Sequence, residues 1–296
     1  MTLVVAKIID DEIQVISDTR ITDLYLGPQS PLEGQLKTII LNPLTVLSFS
    51  GLPSYAEEVL NSYYNQEIFN LRDLLIKCLD INKKSHNLTH FIISAYDLNK
   101  PFLYKIFNYK IEKDIKNAWI GDKEGFSKYQ EAFHSLRNVS EFYKMEESFN
   151  KIIEDEKLET IGNFNIRVKN EIDANTKSLK FFNYQINRIE LLGPYELEKV
   201  ENNNFLIKTV DASKGGYGIS YLRSFNPYKP AFGIFFYVGK FGILFFPEKK
   251  RLNGEIFKDL ESGEEFANQI KFKYGIDVQG IIINKNNSFT VINTAL

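Results

Sequence analysis

The sequence predicts an α+β protein in which antiparallel strands form layers with pairs of amphipathic helices. Short β-branched runs recur in pairs that are separated by turn residues, which is typical of hairpins. Between these pairs, apolar residues return at a spacing of three or four, which indicates helices that bury one face. No internal repeat or low-complexity linker divides the chain, so we expect a single domain over residues 1–296.

The first part of the chain predicts two hairpins followed by two helices. Asp10-Asp11 separates the first pair of strands, and Asn42-Pro43 separates the second pair. Gly51-Leu52-Pro53-Ser54 then opens a helix, for which we expect Ser54 to be the N-cap. The predicted segments are strands at 3–9, 12–17, 38–41 and 44–49, a loop at 21–36, and helices at 55–63 and 71–79.

The remaining chain predicts further hairpins and helices, with one region of little signal. Gly121 is expected to end a strand and lead into a helix, and Gly239-Lys240 to turn an aromatic hairpin. Residues 161–210 show no clear periodicity. The predicted segments are strands at 89–96, 102–107, 118–120, 217–222, 232–238 and 241–246, an acidic helix at 139–160, a helix at about 254–273, and a final hairpin near 285–287.

Composition excludes several classes of protein. Hydrophobic residues make up 44% of the 296 residues and charged residues 25%, so disorder is excluded as the main state. The 36 basic and 38 acidic residues give a net charge of −2, so we expect neither a nucleic-acid nor a membrane partner. One cysteine excludes an internal disulfide framework, and three histidines leave little room for a metal centre. We expect no cofactor or metal.

The N-terminus predicts a cytoplasmic protein. No apolar run reaches the roughly 18 residues that a membrane-spanning helix needs. The first residues, Met1 to Lys7, contain no basic segment followed by a long apolar one, so we expect no signal peptide.

Three residues near the N-terminus have the chemistry of a nucleophilic site. Thr2 becomes the first residue if Met1 is removed, and its hydroxyl then has a base of its own, the α-amine. That amine has an ordinary pKa of about 7.7–8.0, and a nearby ammonium such as Lys37 would lower it. Asp18 would hold the ammonium in place and compensate its charge. Asp residues also cap turns and Lys residues also lie in solvent, so these ordinary roles remain open for Asp18 and Lys37.

The segments that contain these residues resemble a known family. Residues 2–7 (Thr-Leu-Val-Val-Ala-Lys), 17–22 (Ser-Asp-Thr-Arg-Ile-Thr) and 37–39 (Lys-Thr-Ile) resemble the N-terminus of proteasome β-type subunits and their bacterial relatives. These proteins are N-terminal-nucleophile (Ntn) threonine hydrolases. The order and spacing of the motifs are more specific than any one of them. The resemblance covers roughly residues 2–135 and 208–223, and its further motifs lie at 49–52, 91–97, 101–104, 119–122 and 211–216.

The resemblance implies a fold, an activity and a set of site residues. The fold would be a four-layer αββα sandwich, and the activity would be hydrolysis of amide bonds in a peptide or protein substrate. Thr2 would be the nucleophile, Lys37 would tune its amine, and Asp18 would pair with Lys37. Asp211 would help to orient the threonine, and Gly51 would donate an oxyanion-hole N–H. Because family members usually assemble through their helices, we also expect a homo-oligomer.

The sequence also departs from the family pattern. Asp122 stands where the family has a serine near the threonine amine, and Lys214 stands where a serine follows the family aspartate. Gly215 keeps the family glycine after this position, and Ser213 stands at the spacer position before it. The two charged residues would either form an ion pair or alter catalysis. Only Met1 precedes Thr2, so we expect trimming by an aminopeptidase to expose the amine, with no self-cleavage of a propeptide.

The length between the motifs leaves two alternatives to a peptidase. Residues 136–207 form an insertion that the family usually lacks, and residues 224–296 form an extended C-terminal part with an aromatic hairpin, a helix and a final hairpin. These additions argue against a standard barrel-shaped peptidase stack. One alternative is a catalytically silent scaffold or regulatory subunit of the same fold, which would work with a protein partner. The other is a non-peptide amidase.

Overall fold

A computed structural model describes most of the chain. The described residues are 2–20, 22–23, 27–28, 35–65, 69–155, 157–158, 160–162, 165–173, 175–187, 195–199, 205–209, 219–224, 228–236, 239–246, 248, 252, 254–283 and 289–294.

These residues form a mixed fold of five helices and several antiparallel sheets, which confirms the predicted mixture of strands and helices. The helices are α1 (Pro53–Tyr64), α2 (Leu71–Lys84), α3 (Lys123–Ser135), α4 (Glu141–Ile153) and α5 (Gly263–Tyr274). The strands are β1 (Leu3–Ile9), β2 (Glu12–Ser17), β3 (Thr22–Asp23), β4 (Gly27–Pro28), β5 (Thr38–Asn42), β6 (Thr45–Ser50), β7 (His90–Asp97), β8 (Lys100–Phe107), β9 (Lys110–Glu112), β10 (Asn117–Gly121), β11 (Asn165–Ile172), β12 (Leu179–Asn187), β13 (Tyr195–Lys199), β14 (Phe205–Thr209), β15 (Ile219–Ser224), β16 (Phe232–Phe236), β17 (Phe241–Phe245), β18 (Glu255–Phe257), β19 (Val278–Ile283) and β20 (Phe289–Asn293).

The N-terminal hairpin lies inside the first sheet, whose strand order is β10-β1-β2-β11-β12. Its two strands have the bounds that the sequence predicts. Asp10 and Asp11 both have positive φ, at 49° and 64°, which is the conformation of the two-residue turns that suit a twisted hairpin. Because β1 pairs with β2 on one side and β10 on the other, the start of the chain is flanked by backbone on both sides.

A second sheet, of order β5-β6-β7-β8-β9, packs against one face of the first. Successive residues of a strand point to opposite faces, so β1 contributes to two separate cores. Val4 and Ala6 join a cluster that contains the second sheet and α2, including the buried Cys78. Leu3 and Val5 point the other way and join a cluster with residues of α3 and α4. The N-terminal strand is therefore fixed by packing on both of its faces.

The third sheet lies in the C-terminal part and corrects one prediction. Its strand order is β18-β17-β16-β15-β19-β20, and α5 packs against it. The helix predicted at about 254–273 is wrong at its start, because residues 255–257 form β18 and the helix begins at Gly263. Ser262 accepts a hydrogen bond from the Glu265 N–H and so caps the helix there.

The start of α1 corrects a second prediction. Ser54 is not the N-cap of α1; the helix begins two residues earlier than predicted, at Pro53, with Leu52 at the cap position and no side-chain cap. Proline suits the first position of a helix because its missing N–H would have no partner there.

The predicted loop at 21–36 contains the short strands β3 and β4. In the described part of the chain, the helices are all too short or too polar to cross a bilayer.

Candidate active site

The hairpin register places Asp18 beside the first residues of β1. Because Val4 pairs with Ser17, the last residue of β2, the following residue Asp18 lies opposite the start of the chain. The Asp18 N–H donates to the Leu3 carbonyl at 3.3 Å. The Leu3 N–H in turn donates to Asp18 Oδ1 at 3.0 Å. Thr2 Oγ donates to the same oxygen at 3.4 Å. The carboxylate therefore lies directly against Thr2.

Lys37 reaches the other oxygen of the same carboxylate. It precedes β5, and its carbonyl accepts a hydrogen bond from the Phe49 N–H of β6 at 2.9 Å. Its Nζ donates to Asp18 Oδ2 at 2.9 Å and to the Arg20 carbonyl at 2.5 Å. The side chains of Lys37 and Asp18 are only 6% and 0% exposed. The solvated-lysine interpretation is therefore wrong, and the structure brings Thr2, Asp18 and Lys37 into one buried cluster.

Burial controls the charge of this cluster. Removal from water lowers the pKa of Lys37 below 10.5, and this effect outweighs the opposite influence of the Asp18 carboxylate. The nearby Arg20 guanidinium lowers the pKa of Lys37 further. The site thus holds a lysine that gives up its proton more easily than one in solvent.

The end of β10 passes close to Thr2 on its other side. The Asp122 N–H donates to the Thr2 carbonyl at 2.6 Å. Asp122 is the N-cap of α3, because its Oδ1 accepts a hydrogen bond from the Gly125 N–H at 2.8 Å. Its Oδ2 accepts a hydrogen bond from Thr160 Oγ at 2.7 Å. Both oxygens of this carboxylate thus have partners within the described residues.

Five predicted residues are not joined to this cluster by a described contact. Gly51 lies after β6 with φ of 101°, and no hydrogen bond among the described residues connects it to Thr2 or Lys37, so its oxyanion role stays a prediction. Asp211, Ser213, Lys214 and Gly215 lie outside the described residues, and so does Met1.

Two residues beside the site were not predicted from the sequence. The Arg20 N–H donates to Asp18 Oδ2 at 3.1 Å, and the Arg20 carbonyl accepts a hydrogen bond from Lys37 Nζ. Thr160 contacts Asp122 from a position 38 residues later in the chain. Arg20 belongs to the motif at 17–22, so the sequence contained a pattern from which its place at the site could have been predicted. Thr160 is the last residue of the helix predicted at 139–160, but α4 ends at Ile153, so that prediction is wrong at its end. No local pattern in the sequence indicates the contact with Asp122.

We expect that Gly121→Ala moves Thr2 and destabilises the protein. Gly121 has φ of 110°, and a Cβ at this residue would lie 1.8 Å from the Thr2 carbonyl oxygen. Backbone strain and overpacking each cost about 1–3 kcal/mol, so the free energy of unfolding should fall by about 2–6 kcal/mol.

Gly275→Ala is a matched control for this substitution. Gly275 also has a positive φ, of 62°, but a Cβ there would have no neighbour within 4 Å. Its cost should be the backbone strain alone, about 1–2 kcal/mol for a left-handed residue. Denaturant unfolding measures both variants, and equal losses would contradict the close approach of Gly121 to Thr2.

The arrangement is suited to nucleophilic chemistry at Thr2. One carboxylate bridges a hydroxyl and a buried lysine, so a positive charge lies close to the oxygen that would carry developing negative charge. Within the described ranges, no three His, Cys, Asp or Glu side chains gather as a metal site would require.

Comparisons with known proteins find a distant likeness among solved structures. No family model matches the sequence, and no curated protein matches it. Among solved structures, the Gly-1 mutant of Anbu from Hyphomicrobium sp. strain MC1 has a TM-score of 0.44 and 15% sequence identity to this chain. Anbu is a bacterial proteasome-like protein of the Ntn family. The match covers 57% of this chain and 80% of the Anbu chain, and at this identity the likeness is a distant one.

Proposed function

We propose that the chain hydrolyses amide bonds with Thr2 as an N-terminal nucleophile, after Met1 has been removed. The observation that supports this function is the buried carboxylate of Asp18, which holds Thr2 Oγ on one oxygen and Lys37 Nζ on the other. A buried charge is costly unless it is paired, so a fold that keeps this pair next to a hydroxyl has a use for it.

The reaction would proceed through an ester on Thr2. The α-amine of Thr2 takes the hydroxyl proton while Oγ forms a bond to the substrate carbonyl carbon. The amine then gives this proton to the leaving nitrogen as the carbon–nitrogen bond breaks. Water attacks the ester, the amine takes a proton from the water, and the proton returns to Oγ as the carboxylic acid leaves. The positive charge of Lys37 favours the neutral amine and stabilises the charge that develops on Oγ.

The same proposal includes the finer features that the resemblance implies. The fold would be the four-layer αββα sandwich of Ntn hydrolases, with the first two sheets as its inner layers. Gly51 would donate its N–H to the oxyanion, and Asp211 would orient the threonine. The substrate would be a peptide or a protein, and the chain would assemble with copies of itself.

Removal of Met1 provides a direct test of this function. Protein that retains Met1 should cleave no peptide amide, because its α-amine lies one residue away from Thr2. Treatment with a methionine aminopeptidase should then produce peptidase activity in proportion to the fraction of chains that begin at Thr2, as measured by intact mass. Activity that does not depend on this fraction would contradict the proposal. Full removal with no hydrolysis of any peptide would favour the silent scaffold or the non-peptide amidase.

We expect a bell-shaped dependence of kcat on pH. Activity should rise as the Thr2 amine loses its proton, with a midpoint below about 8 because the charge of Lys37 lowers the pKa of the amine. Activity should fall again at high pH as Lys37 itself becomes neutral, below 10.5 because burial lowers its pKa. Steady-state rates between pH 5 and 11 measure both limbs. A rising limb near pH 4, where ordinary carboxylates titrate, would contradict an amine base.

A further inference from the structure

A short segment outside the resembling motifs contacts both sides of the site. Residues 160–162 follow α4, and Thr160 Oγ donates to Asp122 Oδ2 at 2.7 Å. The Ile161 carbonyl accepts a hydrogen bond from Arg20 Nη1 at 3.3 Å. Gly162 lies so close to the same side chain that a Cβ there would be 2.9 Å from Arg20 Nη1.

The two residues that this segment contacts are those that hold Thr2 and Lys37. Asp122 donates its N–H to the Thr2 carbonyl at 2.6 Å. Arg20 accepts a hydrogen bond from Lys37 Nζ on its carbonyl. Asp122 is therefore the one residue that links the segment to Thr2, and Arg20 is the one residue that links it to Lys37.

The segment is itself held in place by apolar packing. Ile161 is 1% exposed and Leu158 is 3% exposed, and both lie in the cluster that α3 and α4 form on the first sheet. The tip of the Ile161 side chain fills the space beside Gly125, where a Cβ would lie 2.0 Å from Ile161 Cδ1. Because Gly125 is in the first turn of α3, the segment and the N-cap Asp122 are packed as one unit.

We infer that Thr160 is a positioning residue for the Thr2 nucleophile and acts through Asp122. This inference rests on the proposed function. The O–H···O⁻ hydrogen bond between the two side chains is charge-assisted, and Asp122 is only 6% exposed, so solvent cannot easily replace the donor. If the hydroxyl is lost, the carboxylate shifts toward another donor, and its backbone N–H shifts with it. Thr2 then loses its alignment with the substrate carbonyl.

Kinetics of Thr160→Val test this inference, because valine keeps the shape of threonine and removes the donor. A misplacement of about 1 Å costs up to about a hundredfold in rate, so we expect kcat to fall about ten- to hundredfold while KM changes little. The rate at which a threonine-directed electrophile modifies Thr2 should fall in parallel. Thr160→Ser should restore both rates, since it keeps the hydroxyl.

Thr176→Val is the matched control, because Thr176 lies in the same insertion with an exposed hydroxyl that bonds Ser178. It should leave kcat unchanged. Wild-type kcat in Thr160→Val would overturn the inference, and so would a loss of kcat that only follows a lower unfolding temperature. Thr2→Val in the same assay separates the two proposals: if it abolishes activity and Thr160→Val does not lower it, the positioning role alone fails. If Thr2→Val remains active, the proposed function fails as well.

Discussion

Thr2→Val should abolish amide hydrolysis, with a loss of at least about 10³-fold in kcat, because it removes the nucleophilic oxygen and keeps the shape of the side chain. The protein should remain folded. Thr2 is 3% exposed, but its Oγ is joined to Asp18 by a hydrogen bond of 3.4 Å, which is long for an O–H donor. Losing such a bond should cost less than about 1 kcal/mol of unfolding free energy.

Two variants complete this experiment. Thr2→Ser keeps a hydroxyl on the terminal residue and should retain measurable hydrolysis. Thr19→Val makes the same chemical change at a threonine that is equally buried and whose Oγ has no hydrogen-bond partner among the described residues. It should leave kcat and stability close to those of the wild type, since an unpaired hydroxyl contributes no hydrogen bond. Undiminished peptidase activity in Thr2→Val would exclude Thr2 as the nucleophile.

Lys37→Met is expected to destabilise the protein as well as inactivate it. The variant leaves the Asp18 carboxylate fully buried without its cation, and removing one partner of a buried pair costs about 3–5 kcal/mol. Activity should fall by at least about a hundredfold, because no positive charge then lies near the Thr2 amine and Oγ. Denaturant unfolding and peptidase assays measure the two effects separately.

The chain contains a matched ion pair for comparison. Lys180 Nζ lies 2.9 Å from Asp173 Oδ2, the same distance as between Lys37 and Asp18, but both of its side chains are partly exposed. Lys180→Met should therefore cost less than about 1 kcal/mol. The double variant with Asp18→Asn and Lys37→Met should be more stable than Lys37→Met alone, because it removes the buried charge. Equal losses for the two lysines would show that the Lys37 pair is not buried in solution.

The fold was predictable from sequence where local patterns are strong. β1 and β2 agree with their predicted bounds because β-branched runs on either side of Asp10-Asp11 specify a hairpin without help from the rest of the chain. The start of the helix predicted at about 254–273 is wrong because Glu255–Phe257 pairs with β17, a contact that no local pattern indicates. Residues 161–210 gave no usable periodicity, yet β11 pairs with β2 and extends the first sheet.

The site was predictable to the extent that it depends on a motif. Asp18 and Lys37 were inferred from residue type and order, and hairpin register together with the packing of the two sheets brings them together. Thr160 was missed because its contact with Asp122 depends on how α4 and the following turn pack on α3. Such long-range contacts are set by tertiary packing and leave no signal in a single sequence.

The proposed activity requires a mature chain that begins with a reactive Thr2. Intact-mass analysis of protein from its native host, before and after treatment with an electrophile directed at terminal threonine, measures both properties. We expect a mass that lacks Met1, followed by a single adduct that peptide mapping places on Thr2. Retention of Met1 together with no adduct would contradict this expectation, and would indicate a silent scaffold or a precursor that awaits trimming.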